Sequence, residues 1–313
     1  MGKVAFIFPG QGSQFAGMGK DVYEKYPCAR EIFENIDKFA GRSISQLCFE
    51  GSEEELKQTI NSQPAILAVS IALYEAVKAE TGIKPDFVAG HSLGEYSAFY
   101  AAGVMELEGL VKLVSKRAEL MNSAPSGSMS AVLGLDEAKI AELVEKASSN
   151  GIICAANYNT PEQTVISGEA KAVEAANEIA KQLGAKRVIP LAVSGAFHSP
   201  LMQPLSEEFA EHVNNTTINN AQIPVVTNVD AKATVDKAEL APKMVKQMYS
   251  SVYWTQSVNA MLAAGVDTFV EIGPGKVLAG MIKKIAMEAK VYNACDAESV
   301  GKLKELMASQ ASV

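Results

Sequence analysis

Apolar and polar positions divide this chain into short unbroken apolar runs and longer stretches of helical period. Residues 4–8 are one such run, as expected of a strand buried on both faces. It ends in Pro9-Gly10-Gln11-Gly12-Ser13-Gln14, a tight turn. Residues 21–39 and 52–59 read as helices, and residues 65–79 as an apolar helix with Pro64 near its first turn. Residues 86–89 form the next strand, followed by a sharp turn and an alanine-rich helix through Ala102. In residues 107–121, Leu110, Val114 and Met121 share one helical stripe, while Lys112, Lys116 and Glu119 lie opposite. Toward the C-terminus, residues 224–228 and 268–272 read as strands, 237–249, 252–264 and 276–289 as helices, and 291–294 as a last strand. The small polar tail is expected to fray.

After the break Pro125-Ser126-Gly127 the rhythm changes. Strands at 128–135, 152–157, 164–167 and 188–193 enclose helices at 136–147 and 170–183, with a turn at Asn159-Thr160-Pro161. The order βαββαβ is ferredoxin-like. The expected organisation is therefore an α/β body of residues 1–125 and 197–313 with an inserted small subdomain of residues 126–196. A cleft between two such bodies is a usual place for a ligand.

Composition narrows the function. The chain has 313 residues, 48% hydrophobic and 20% charged, as in an ordinary globular protein. A net charge of −8 argues against general nucleic-acid binding. No apolar run is expected to cross a bilayer, and no leader segment is read at the start. Cys28, Cys48, Cys154 and Cys295 are too far apart for a C-x-x-C pair, and with three histidines no metal site is expected. These features predict a reduced, cytoplasmic protein.

The candidate chemistry begins at Gly90-His91-Ser92-Leu93-Gly94, a G-x-S-x-G pattern between strand and helix. Such a turn exposes the serine hydroxyl, and the Leu93 N–H would point toward an oxyanion formed beside it. The alternative is a glycine-lined turn with Ser92 as a helix cap. Gln11 either projects into a site at the strand ends or is a surface turn residue. The loop around it lacks both a third dinucleotide-type glycine, where Phe15 stands, and a Walker lysine, where Met18 stands. Arg117 lies on the apolar stripe of its helix and needs an anion: a substrate carboxylate, an internal carboxylate, or escape to solvent by its long stem. His198 precedes Ser199-Pro200, where Ser199 can cap a helix whose positive end would keep the imidazole neutral. It is the best candidate base of the three histidines. Asp230, Asp267 and Glu271 are all eligible as a third, acidic member, and none is singled out.

Taken in order, Pro9-Gly10-Gln11-Gly12-Ser13-Gln14, Gly90-His91-Ser92-Leu93-Gly94-Glu95, Arg117, Gly195-Ala196-Phe197-His198-Ser199 and Glu271-Ile272-Gly273-Pro274-Gly275 resemble the malonyl-CoA:acyl carrier protein transacylases of bacterial fatty-acid synthesis, over essentially the whole chain. The resemblance implies an α/β-hydrolase-like core with the ferredoxin-like insert. It implies Ser92 as nucleophile and His198 as base. Gln11 and Leu93 would supply oxyanion-hole N–H groups, and Arg117 would bind the malonyl carboxylate. The backbone carbonyl of Gln247 would orient His198 in place of an acid. The Ala-Phe-His form associates Phe197 with malonyl over methylmalonyl groups. Malonyl-CoA would be a substrate and no cofactor is implied; the partners would be coenzyme A esters and acyl carrier protein, and the enzyme a monomer. Lys186, Arg187, Lys276, Lys283 and Lys284 are candidates for a basic docking rim toward an acidic carrier. A polyketide-type acyltransferase, a serine thioesterase or esterase, and a non-catalytic carrier binder are the competing readings.

Overall fold

The structure, a computed structural model, describes residues 2–193 and 195–311. Among them ten strands occur: β1 (Lys3–Phe8), β2 (Phe87–Gly90), β3 (Ser128–Leu133), β4 (Ile153–Thr160), β5 (Gln163–Gly168), β6 (Arg187–Pro190), β7 (Val225–Val226), β8 (Ala233–Thr234), β9 (Val266–Ile272) and β10 (Lys290–Ala294). They form a six-stranded sheet of order β10-β9-β1-β2-β7-β8 and a four-stranded sheet of order β4-β5-β3-β6. The larger sheet is parallel from β10 to β7, with β8 antiparallel at one edge. The smaller sheet is antiparallel throughout and has the strand order expected of a βαββαβ unit.

The central strand β1 shows why the larger sheet is buried on both faces. Phe6 and Phe8 join one apolar cluster, built around the Thr59–Thr81 helix. Ala5 and Ile7 join another with Trp254, Phe269 and Leu278. Side chains alternate along a strand, so an unbroken apolar run serves both layers. A third cluster, including Val132, Leu143, Ile166 and Val173, fills the space under the smaller sheet. The segment carrying that sheet is closed at its base by an antiparallel bridge between Ser126 and Gly195. It is tied to the larger body through β4. Tyr158 N–H donates to Val252 O at 2.9 Å, Val252 N–H to Ala156 O at 2.8 Å, and the rings of Tyr158 and Tyr253 stack at 5.3 Å.

Several expected elements are revised. The helix at 21–39 is two, Lys20–Lys25 and Pro27–Ala40, because Pro27 holds Tyr26 in extended backbone. An unforeseen helix spans Ile44–Glu50. The Thr59–Thr81 helix begins well before Pro64, which sits inside it. Proline cannot donate to the carbonyl of Ile60, and Arg42 Nη2 donates to that oxygen instead, at 2.6 Å. At 23 residues this helix is also long and apolar enough to span a bilayer, against the expectation that no run was; 83% of its most apolar window is buried within the fold, so the core occupies its faces. The tail does not fray at once: a helix covers Ala297–Ala311, started by Asp296 Oδ1 accepting the Ser299 N–H at 2.7 Å, while residues 312 and 313 lie outside the described ones.

The turn after β2 depends on two glycines for space. A Cβ on Gly90 would lie 1.9 Å from the Gly94 carbonyl carbon, and one on Gly94 would lie 2.0 Å from the Phe8 carbonyl oxygen. The helix Gly94–Ala101 thus starts against the end of β1. Gly280, inside the Val277–Ile285 helix, has no such neighbour. Gly94→Ala should therefore lower stability by at least the roughly 1–3 kcal/mol of an overpacked core, whereas Gly280→Ala should raise it by about 0.5–1 kcal/mol. Denaturant melts of the two variants check this; a Gly94→Ala midpoint equal to wild type would contradict the close packing.

Candidate active site

The loops after β1 and β2 leave the same end of the sheet because the strands are parallel. Gly10 lies against the turn, where a Cβ would be 2.3 Å from the His91 carbonyl oxygen. Gln11 and Ser92 consequently line one cleft of about 400 Å³, with His91, Met121, Met129, Phe197 and His198. Ser92 and His198 are both non-glycine residues in left-handed backbone, at φ 51° and 57°. That conformation is uncommon for such residues and clusters at functional sites.

Ser92 Oγ lies 2.8 Å from His198 Nε2, and His198 Nδ1 lies 2.9 Å from the Gln247 backbone oxygen. A carbonyl only accepts, so Nδ1 carries the proton and Nε2 is free to accept from the serine. Burial, with the nearby Arg117 charge second, pushes the His198 pKa down to about 3. The imidazole is therefore neutral at pH 7, as expected, but for a different reason. His198 is followed by the short 3₁₀ turn Pro200–Met202, and Ser199 donates its hydroxyl to Ala196 O at 2.6 Å rather than capping a helix.

Arg117 is 0% exposed, and its partners are neutral. Nη1 donates to Gln63 Oε1 at 2.7 Å, and Nη2 to Gln247 Oε1 at 2.9 Å and to Ser92 Oγ at 3.2 Å. The guanidinium lies over the Tyr96 ring, 5.3 Å from its centroid. Its Nε is buried without a hydrogen-bond partner, and no carboxylate contacts it among the described residues. Solvent escape and a direct internal ion pair are thereby set aside. The N–H groups of Gln11 and Leu93 likewise have no partner among the described residues.

None of the eligible acids reaches His198. Glu271 accepts the N–H groups of Leu278 and Ala279 at 3.0 and 2.7 Å, holding the start of the Val277–Ile285 helix. Asp230 pairs with Lys243 at 2.9 Å, and Asp267 accepts from Thr268 Oγ1. Besides Gln63, three residues at the site were missed in the sequence. Asn228 Oδ1 accepts the Ser92 N–H at 2.8 Å while its Nδ2 donates to Gly90 O at 2.7 Å. Asn159, on β4, accepts the His91 Nε2–H through its Oδ1 at 2.8 Å. Glu95, 1% exposed, accepts from the Asn228 backbone and the Gln247 side chain. The Glu95 position, right behind the elbow and on a buried helix face, was the one available signal.

The family model of the acyl transferase domain matches residues 5–310. The malonyl CoA-acyl carrier protein transacylase of Bacillus subtilis is 48% identical over 304 residues, covering 96% of either chain. This chain belongs to the malonyl-CoA:acyl carrier protein transacylase family. Its fold is that of solved relatives. An acyl carrier protein S-malonyltransferase from Vibrio cholerae superposes with TM-score 0.93 at 39% identity, over 96% of this chain and 100% of that one. A malonyl-transacylase in complex with a holo acyl carrier protein of a type II polyketide synthase superposes with TM-score 0.94 at 36% identity, over 97% and 99%.

The neutral state of the transacylase-family histidine is directly observable. The ¹⁵N shifts of His198 should report the Nδ1–H tautomer and stay constant from pH 8 to pH 5. A titration centred near 6.5 would contradict the burial and the hydrogen bond to Gln247.

Proposed function

We propose that this protein transfers the malonyl group of malonyl-CoA to the phosphopantetheine thiol of acyl carrier protein, supplying malonyl units for fatty-acid synthesis. Ser92 Oγ attacks the thioester carbonyl as His198 Nε2 takes its proton. The Gln11 and Leu93 N–H groups stabilise the tetrahedral oxyanion, and its collapse expels coenzyme A as a thiol with the proton from His198. The malonyl-serine then waits with its carboxylate on Arg117. The carrier thiol enters the same cleft, loses its proton to His198 and attacks the ester carbonyl; the bond to Ser92 Oγ breaks as His198 returns that proton to Oγ, and the carrier leaves with the malonyl group. Malonyl-CoA is a substrate, and the steps use only the chain's own groups.

The observation that carries this reading is Arg117: a buried, permanent cation, 3.2 Å from the nucleophile, held by neutral acceptors. An esterase for neutral esters has no use for it, whereas a three-carbon diacid thioester supplies its anion at that distance. Phe197 lines the cleft beside His198 and would crowd a methyl on the α-carbon. We also read residues 126–196 as a subdomain closing one side of the cleft, and the protein as a cytoplasmic monomer. For the carrier, Lys186, Arg187, Lys283 and Lys284 line one groove with the exposed Met287. Lys186 is paired with Glu162; the other three have no carboxylate contact among the described residues. Lys276 lines a separate hollow and is not part of that groove.

Intact-mass measurement after mixing with malonyl-CoA should show one malonyl adduct that disappears on adding holo carrier protein, and none for Ser92→Ala; an adduct on Ser92→Ala would move the nucleophile elsewhere. Arg117→Ala should lower malonyl kcat/KM by the equivalent of about 2–5 kcal/mol and leave acetyl kcat/KM level or higher. An unchanged malonyl-to-acetyl ratio beside a large fall in Tm would make Arg117 structural. Lys283→Glu with Lys284→Glu should raise KM for the carrier and leave acylation by malonyl-CoA unaltered.

A further inference from the structure

Glu95 is a buried carboxylate that the transfer steps above do not use. Its Oε1 accepts the Asn228 backbone N–H at 2.6 Å, and its Oε2 accepts Gln247 Nε2 at 2.6 Å. Both oxygens face donors, which suits the ionised form. The same Gln247 amide presents its Oε1 to Arg117 Nη2 at 2.9 Å. One amide thus stands between a buried anion and a buried cation, its NH₂ end toward the carboxylate and its oxygen toward the guanidinium. Gln247 Nε2 also donates to Ser92 O at 2.8 Å, and its backbone oxygen holds His198.

We propose that Glu95 is the resident counter-charge of Arg117, relayed through the Gln247 amide, and that it sets how tightly the substrate carboxylate is held. It is a positioning residue and does not touch substrate. The inference rests on Arg117 being the malonyl anchor. Without substrate, Glu95 makes a buried guanidinium tolerable. With the malonyl group on Ser92, two anions share one cation, and the repulsion from Glu95 weakens the grip. A charge lodged one side chain away in a poorly screened interior acts strongly at that range. The arrangement keeps the malonyl-serine from being bound so firmly that the second transfer slows.

Removing the charge should therefore strengthen the hold on malonyl and leave acetyl nearly unaffected. In Glu95→Gln the malonyl-to-acetyl ratio of acylation kcat/KM should rise about three- to tenfold, with a lower KM for malonyl-CoA and slower transfer to the carrier. Glu95→Asp, which keeps the charge, should stay close to wild type. In an Arg117→Ala background the rise should vanish. A folded Glu95→Gln with an unchanged or lower ratio, or a rise that persists without Arg117, overturns the proposal. If Arg117→Ala alone leaves the ratio unchanged, the anchor reading fails first and this inference with it.

Should Glu95→Gln not fold, the wild-type enzyme gives the same test through pH. Burial pushes the Glu95 pKa up to about 7. The charged or titratable groups around it are Arg117, Tyr96, Asp230, His198 and His91. Burial lowers Arg117 from a value so high that it stays charged, raises Tyr96, and lowers His91; hydrogen bonds hold Asp230 low, and His198 sits at about 3. Glu95, at about 7, falls within the window from pH 8 to 6. As pH falls through that window it takes up a proton, its repulsion is lost, and the malonyl-to-acetyl ratio should rise. A ratio that stays flat across the pH range in which the ¹³C-labelled Glu95 carboxyl is seen to titrate overturns the proposal.

Discussion

Arg117 can neither release its proton nor reach water, and the rest of the site is arranged around that constraint. An isolated charge in an apolar interior is among the most costly features a fold can carry. Here the cost is offset by amide oxygens from two distant parts of the chain, the face of Tyr96, and the serine hydroxyl. Each group in direct contact is neutral, and the carboxylate proposed to balance the charge, Glu95, stands one amide away. The guanidinium is stabilised enough to stay in place and keeps unspent donor capacity, including its Nε. In the proposed mechanism, an acyl group that ends in a carboxylate completes the set. An acyl group without one leaves it incomplete, and that difference is a physical basis for selecting malonyl.

Ser92 and His198, the proposed nucleophile and base, are held by backbone as much as by side chains. Ser92 and His198 occupy left-handed conformations that each cost about 1–3 kcal/mol in isolation. They persist because their surroundings leave no alternative. The Asn228 side chain clamps the elbow at the Ser92 N–H and the Gly90 carbonyl. The Gln247 carbonyl fixes one nitrogen of the imidazole, which aims the other at Ser92. In the proposed mechanism this carbonyl takes the orienting task of a triad acid and itself adds no negative charge beside the malonyl carboxylate.

Much of this was legible because it was local. The elbow sits in five consecutive residues, the insert shows as a change of period after Gly127, and Arg117 breaks an apolar stripe readable at helical spacing. Gln247 was known through family likeness alone, since nothing in residues 237–249 marks a carbonyl for use. Asn228, Asn159 and Gln63 were illegible, and Glu95 legible only by its place behind the elbow, for a related reason. They meet their partners across separations of 54 to 152 residues, and a buried polar residue looks locally like a solvated one. Helix limits failed where a distant group altered a local rule. Pro64 lies inside a helix because Arg42 satisfies the carbonyl that proline leaves free. The apolar Thr59–Thr81 helix reads as a membrane candidate until the surrounding core accounts for its faces.

The central claim is that the buried guanidinium is the receptor for the substrate's free carboxylate. The most direct measurement is a crystal structure of the enzyme trapped with a malonyl group on Ser92, frozen before the carrier is added. The account predicts the malonyl carboxylate in paired hydrogen bonds to Arg117, with Gln63 and Gln247 still bound to the guanidinium and the ester oxygen facing the Gln11 and Leu93 N–H groups. A malonyl carboxylate directed into the open cleft, away from Arg117, would contradict it.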